Sequence, residues 1–321
     1  MEPLIHPPYT IDYANLMDLR VDFAFKLLFT KGDPRMLISL LNAIFANKKI
    51  PRVVKSVAIK NPNLEKSSSS DKLSILDIRA QLDDGTAILI EMHMYTLGEL
   101  KSKTIRSWAR AYSEELEIGE TYTDQPPTVA ITFTNGNIDT NTDTPKIHKL
   151  CMIMDREDNT LFSNAMELHY IDMKAFAKAV NKIGSINITD TEEGKFSKWL
   201  SVITQKEITN KSILENICED EEEIHMAVAT LARQSEDKYA RQAYQRRQDE
   251  IYFYNMKMQR AAEAEQRITE AEQRITEAEQ LKAEAEQKLK IAVSLLLDKG
   301  TTTADIAAIL NMSEQEVIDQ K

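Results

Sequence analysis

Apolar positions in the first half of the chain alternate with polar ones or cluster in short runs, and they predict an α/β core. Strands are predicted at 52–60, 73–82, 86–94, 127–134, 147–154 and 165–171. Helical spacing predicts one helix from about Asp18 to Gly32, a second from Met36 to Phe45 capped by Asp33, and a long one over residues 97–118. This order of elements predicts a mixed sheet covered by helices.

The second half of the chain has helical spacing throughout. Short helices are predicted over 174–233, followed by one long helix over about 237–297. Inside the long helix the heptad EAEQRIT and its variants repeat. The repeat defines a coiled-coil seam made of Ala264, Ile268, Ala271, Ile275, Ala278, Lys282, Ala285 and Leu289. The seam is compatible with a coiled coil between two copies, with a helix folded back on the protein, and with a solvated single helix laced with ion pairs.

Residues 299–321 predict two short helices, with Thr303 capping the first. The two helices and the three-residue turn between them resemble half of a helix-turn-helix. Its second helix carries Glu314, Glu316 and Asp319, whereas a DNA-reading helix needs basic and polar side chains. We therefore expect a cap or an association element here.

A hairpin over residues 73–94 carries the most unusual polar residues of the core. Asp83-Asp84-Gly85 predicts a three-residue turn with Gly85 in the left-handed conformation, so that Leu82 faces Thr86 and Asp77 faces Glu91. The two carboxylates would then lie about 5 Å apart on one face, with His93 following on that face. A two-residue turn would instead put the two acids on opposite faces.

Two facing carboxylates repel each other, and a divalent cation would remove the repulsion. Mg²⁺ binds through one or two carboxylates, with water and phosphate as its other ligands. Asp77 and Glu91 are therefore candidate metal ligands. The alternative is that one acid lies at a solvated strand edge while the other pairs with a cation.

Several motifs occur in an order typical of a known family. They are DFAFKLLF from Asp22, LDIR around Asp77, IEMH around Glu91 and RSWARAYS from Arg106. In this order and spacing they resemble the recombination-promoting nuclease and transposase family within the PD-(D/E)XK nuclease superfamily, over roughly residues 16 to 320. The family usually has Gln at the position of His93, and the wider superfamily has Lys there.

The resemblance implies a restriction-endonuclease-like core with a mixed sheet, and a site formed by Asp22, Asp77, Glu91 and His93. It implies Mg²⁺ (or Mn²⁺) as cofactor and places an Arg at position 106. The alternative role for Asp22 is a helix-start charge stabilised by the helix dipole.

Basic residues near these motifs are candidate DNA contacts. They are Lys26, Lys72, Lys101, Lys103, Arg106 and Arg110. The last four lie in the first half of the predicted helix 97–118, whose apolar stripe is predicted as Ile105, Trp108, Ala109, Tyr112 and Leu116. The alternative for all of them is a solvated surface charge.

The formal net charge of −11 argues against broad coating of nucleic acid, but the first 60 residues carry nine Lys/Arg against five Asp/Glu. The two cysteines are too few and too far apart for a disulfide framework, and we therefore expect a reducing cytoplasm. No apolar run reaches membrane-spanning length, so we expect no membrane association.

Together these features predict four parts: a PD-(D/E)XK-like core at 1–172, a helical extension at 173–236, a heptad-bearing helix at 237–298 and a cap at 299–321. The predicted function is metal-dependent DNA endonuclease activity, with a homodimer formed through the coiled coil 263–290. The alternative is a nuclease-fold protein, weak or inactive as an enzyme, that acts in DNA binding or assembly. A purely structural coiled-coil role would involve no DNA at all.

Overall fold

The computed structural model describes residues 11–60, 78–94, 100–116, 121–136, 146–183, 192–210 and 212–320. These residues form a six-stranded mixed sheet whose strands are β1 (Val57–Ile59), β2 (Ile78–Leu82), β3 (Ala87–His93), β4 (Thr128–Thr134), β5 (His148–Met154) and β6 (Leu161–Asp172). The strand order is β1-β2-β3-β4-β6-β5. The central strands β3, β4 and β6 run parallel, and the other neighbours pair antiparallel. The α/β prediction with a mixed sheet is confirmed.

One face of the sheet is covered by α1 (Asp22–Lys31) and α2 (Pro34–Asn47). Apolar side chains of β3, β4 and β6 on this face, such as Ile90 and Ile131, join those of the two helices in one buried core. Phe25 of α1 packs on Phe133 of β4, with ring centroids 5.5 Å apart. The opposite face is covered by α3 (Leu100–Glu114), where Trp108 packs against a smaller apolar cluster.

The helices that follow the sheet share the core of the first face. They are α4 (Met173–Ile183), α5 (Glu192–Ile203), α6 (Ser212–Asp220) and α7 (Glu222–Glu236). Trp199 of α5 is fully buried; its ring lies 5.8 Å from that of Phe29, and its indole N–H donates to Ser39 Oγ. The segment after the sheet therefore completes the core that α1 and α2 begin.

The long helix α8 (Lys238–Asp298) begins within this first compact unit, which extends from Met1 to Tyr252. Its Arg247 guanidinium binds the Asp22 carboxylate, with Nε at 2.8 Å from Oδ1 and 3.0 Å from Oδ2. Tyr244 accepts a hydrogen bond from the backbone N–H of Asp18 at 3.0 Å. These contacts join the first turns of α8 to the start of α1.

The second compact unit extends from Phe253 to Lys321 and contains α9 (Thr303–Leu310) and α10 (Glu314–Asp319). Val293 of α8, Ile306 and Val317 form its buried centre. Thr302, one residue before the predicted cap, accepts from the N–H of Asp305, and Ser313 forms a capping box with Glu316. None of the described helices is both long and apolar enough to span a bilayer.

Several predicted boundaries are wrong. The strand expected at 52–60 is confined to Val57–Ile59. Arg52 lies outside this strand and binds Glu167, with its Nη1 3.0 Å from Oε2. The first helix begins at Asp22 and not at Asp18, since Asp18 forms a turn in which it accepts from the N–H of Arg20.

A buried histidine pair next to Glu167 was not expected from the sequence. His148 Nε2 lies 3.0 Å from His169 Nδ1, and His148 Nδ1 lies 2.7 Å from Asn47 Oδ1. Burial, together with His169 and Lys48, lowers the pKa of His148 to about 2. Both rings are therefore neutral members of the packing between α2 and the sheet.

Replacing Arg247 with Met should lower the free energy of unfolding by roughly 3 kcal/mol, because it leaves the Asp22 carboxylate buried without its cation. Arg247 and Asp22 side chains are only 7% and 10% exposed. Urea unfolding of the full chain measures the loss. The matched control is Arg246→Met, since Arg246 is exposed on the same turn. Equal stability of the two variants would contradict a role for the ion pair in holding α8.

Candidate metal and nucleic-acid site

The β2–β3 hairpin has the predicted register. Ile78 pairs with Ile90 and Arg79 with Leu89, and Leu82 donates its backbone N–H to Thr86 O at 2.9 Å. Gly85 has a φ of 84°, the left-handed conformation that the three-residue turn requires. The three-residue turn is confirmed. Asp77, the residue before β2, lies outside the described part of the chain, as does Lys72.

Glu91 and His93 lie on the same face of β3 as Leu89, because side chains alternate along a strand. This is the face covered by α3, at the carboxyl-terminal end of a parallel strand. Both residues are buried, with 2% and 3% exposure. His93 Nε2 lies 2.9 Å from Glu91 Oε2. The structure therefore brings these two predicted site residues together.

The second carboxylate oxygen of Glu91 is the unusual atom of this site. Glu91 Oε1 is buried and accepts no hydrogen bond from any described residue. Leaving a buried carboxylate oxygen without a donor costs free energy. An oxygen in this state has lone pairs available for a cation.

Two opposing effects act on the Glu91 carboxyl. Burial by itself would raise its pKa, but the hydrogen bond and charge of His93 outweigh burial, with Ser107 and Lys103 of α3 adding to them. The pKa of Glu91 is therefore held below its ordinary value. Glu91 is ionised in the neutral pH range, as a metal ligand has to be.

Hydroxyl groups connect α3 to the sheet beside Glu91. Thr132 of β4 pairs with Glu91 and, on its other side, with Tyr170 of β6. Thr104 of α3 lies above this row, its Oγ1 being 3.3 Å from Thr132 Oγ1, and it also hydrogen-bonds Tyr170. Burial raises the pKa of Tyr170, so its hydroxyl stays protonated and able to donate. This polar layer fixes the height of α3 over Glu91.

The predicted apolar stripe of α3 is wrong at Ile105 and Ala109, but Trp108 packs on the sheet and Tyr112 is half-buried, as expected. Ile105 is 48% exposed and Ala109 is exposed, while the buried positions are Leu100, Thr104 and Ala111. The stripe was expected from apolar residues alone, but the face of the sheet beneath α3 is polar near Glu91. Threonine and serine therefore occupy the inward face there, and an isoleucine faces outward.

The basic residues of α3 are distributed over its outer side. Lys101 and Arg106 are exposed, and Lys103 is half-buried near Glu91. Arg110 is exposed but binds Glu114 at 2.9 Å, and Glu114 also binds Arg79 at 2.6 Å. Lys26 is only 2% exposed, so it does not present its charge at the surface.

Asp22 stands apart from the Glu91–His93 pair. Its carboxylate binds Arg247 and accepts the backbone N–H of Phe23 at 2.8 Å. Among the described residues it forms no hydrogen bond or ion pair with Glu91 or His93. The described residues also contain no group of three or more His, Cys, Asp or Glu arranged to hold a metal ion.

Sequence reasoning missed Thr104, Ser107, Tyr170 and Arg247. Thr104 and Ser107 could have been found as polar residues three apart within a helix that follows a strand bearing a buried acid. Nothing local marks Arg247, because its partner Asp22 is 225 positions away.

The protein is thus an α/β protein with a mixed sheet. Its candidate site is a buried, ionised carboxylate on the β2–β3 hairpin, next to a helix with basic side chains. The family model of the PD-(D/E)XK nuclease family transposases matches residues 19–261. The chain belongs to this family. No curated protein and no solved structure matches it.

Glu91→Gln should lower the free energy of unfolding by about 1 kcal/mol, because the amide keeps the shape and can still accept a hydrogen bond but loses the charge that His93 and Lys103 stabilise. Ile90 precedes Glu91 on the same strand and faces the core formed with α1 and α2. Ile90→Ala should lower the free energy of unfolding by roughly 2–5 kcal/mol. Urea unfolding of both variants tests this. A loss in Glu91→Gln as large as that in Ile90→Ala would show that the carboxylate is needed for the fold.

Proposed function

We propose that the protein is a Mg²⁺-dependent (or Mn²⁺-dependent) DNA endonuclease that hydrolyses phosphodiester bonds, with a role in recombination or in the movement of mobile elements. The observation that carries the proposal is the buried, ionised Glu91, one carboxylate oxygen of which has no donor among the described residues. Burying such a group costs free energy, and a bound cation would offset that cost.

Glu91 and Asp77 are the proposed metal ligands. If the antiparallel ladder of β2 and β3 continues by one pair beyond Ile78 and Ile90, Asp77 faces Glu91. Mg²⁺ needs few protein carboxylates, since water and the substrate phosphate supply its other ligands. A bound Mg²⁺ would polarise the scissile phosphate and offset the negative charge that develops on it.

His93 is proposed to hold or move a proton at Nε2, the nitrogen that lies next to Glu91 Oε2. It takes the position at which the family usually has Gln and the wider superfamily Lys. Asp22 is proposed to act only indirectly, by holding α1 against Arg247, because its carboxylate is already bound by a guanidinium.

The outer side of α3 is the proposed DNA contact. Lys101, Lys103 and Arg106 offer positive charge beside the site, and Arg110 shares its charge with Glu114. Lys72 is proposed as a further phosphate contact, and Lys26 as a weaker candidate because of its burial. A few such residues suffice for local phosphate binding in a chain with a net charge of −11.

A second candidate function is DNA binding or assembly without cleavage. It is favoured by one observation. The ring of His93 hydrogen-bonds one oxygen of Glu91, at a position where the family usually has Gln. In either case we propose a homodimer formed through residues 263–290. We also propose location in a reducing cytoplasm, in keeping with Cys151 and Cys218, which form no disulfide in the described chain.

Nicking of supercoiled plasmid tests the enzymatic proposal. The wild type should cut with Mg²⁺ or Mn²⁺ and not with EDTA. Glu91→Gln and Asp77→Asn should each lower the rate at least about a hundredfold, the scale of losing one electrostatic contact with the transition state. The matched control is Glu115→Gln, a half-buried acid after α3.

His93→Gln in the same assay separates the two candidate functions. Cutting by His93→Gln but not by the wild type would mean an intact site that is natively silenced. Failure of every variant to cut, with DNA binding retained, would overturn the endonuclease proposal in favour of binding or assembly.

DNA binding by α3 is tested by salt dependence. Lys101→Ala/Arg106→Ala should weaken duplex binding and lower the slope of log K against log salt by roughly 2, since each phosphate contact contributes about 0.9. Fluorescence anisotropy measures both quantities. The matched control is Lys178→Ala/Lys182→Ala on the exposed side of α4. A slope that falls equally in both double variants would argue against α3 as the contact.

A further inference from the structure

The seam of α8 is exposed within the described second unit. Ile268 and Ile275 are each 59% exposed, and every residue from 259 to 288 is exposed. Isoleucine repeated every seven residues on a solvated helix is costly unless another surface covers it. The covering surface has to follow the same heptad period, and a second copy of this helix does so.

Heptad positions can be assigned from the spacing. Ile268, Ile275, Lys282 and Leu289 occupy the a positions, and the alanines four residues before each of them occupy d. β-branched residues at a favour two-stranded coils when Leu occupies d, which is alanine here, and a single Lys at a fixes the register at some cost in stability. The a positions alone therefore favour a dimer with its two helices in register.

The positions that flank the seam, e and g, carry opposite charges except at Leu281. Position e is Glu in all four heptads (Glu265, Glu272, Glu279, Glu286), and position g is Arg267, Arg274, Leu281 and Lys288. In a parallel pair, g of one helix meets e of the next heptad in its partner, so Arg267 meets Glu272 and Arg274 meets Glu279. In an antiparallel pair, e meets e and g meets g, which sets Glu against Glu and Arg against Arg.

The ion pairs described within this stretch of α8 do not involve Arg267 or Arg274. The described pairs along this stretch are Lys282–Glu286 and Lys288–Glu284, each at 3.9 Å. Arg267 and Arg274 have no ion-pair partner within the described chain. A partner helix in parallel register would supply one to each.

We propose that two copies of the chain associate as a parallel, in-register coiled coil in which Arg267 and Arg274 bind Glu272 and Glu279 of the other copy. The inference rests on the proposed homodimer and adds its orientation, its register and its selecting contacts. Each α8 begins inside its own first unit, where Arg247 binds Asp22. A parallel pair therefore brings the amino-terminal ends of both α8 helices to the same end of the coil.

Charge reversal tests the selecting contacts. Arg267→Glu/Arg274→Glu turns four attractive contacts of a parallel dimer into repulsive ones and should raise the dimer dissociation constant roughly a hundredfold. Adding Glu272→Arg/Glu279→Arg to the same chain should restore the wild-type value. Sedimentation of the full chain over a range of concentrations measures it. The control Gln266→Glu/Gln273→Glu puts acid on the outer face and should change little.

Disulfide cross-linking tests orientation separately. In a background without native thiols (Cys151→Ser/Cys218→Ala), Ala264→Cys, Ala271→Cys and Ala278→Cys should each form a self-disulfide, because facing d positions lie within disulfide reach in a parallel pair. An antiparallel pair would permit at most one of the three. Dimers with that pattern would overturn the orientation but leave the homodimer standing. A wild type that is monomeric at every concentration would overturn both.

Discussion

Burying the Glu91 carboxylate under α3 costs free energy, and the surroundings of the site are arranged to offset that cost. His93 on the same strand holds one oxygen, and Ser107 and Lys103 approach from the helix above. Thr104 keeps α3 at the distance that these contacts require. The remaining oxygen has no protein donor among the described residues. In the proposed function a cation binds at that oxygen.

A second buried charge has a different role. Asp22 lies at the first position of α1 and is bound by Arg247, which comes from the start of α8. An acid of the DFAFKLLF motif is thereby held in an ion pair with a distant helix. The same ion pair joins the first turns of α8 to the core of the first unit.

Much of the fold was predictable because it depends on local rules. Asp83-Asp84-Gly85 set the turn and thereby the strand register, and Asp33 capped α2 as expected. The inward face of α3 was not predictable from apolar spacing, since a polar sheet surface selects Thr104 and Ser107. Contacts between distant positions, such as Arg247 with Asp22, have no local signal. Of the four predicted site residues, the structure joins Glu91 and His93; Asp22 has another partner, and Asp77 lies outside the described residues.

The central claim is that Glu91 is a metal ligand, and the most direct measurement is Mn²⁺ binding to the full chain, read by electron paramagnetic resonance without DNA. The account predicts one bound ion per chain in the wild type and an affinity at least about tenfold lower in Glu91→Gln, because one charged ligand is lost. Equal affinity in the two proteins, or no binding to either, would contradict the claim.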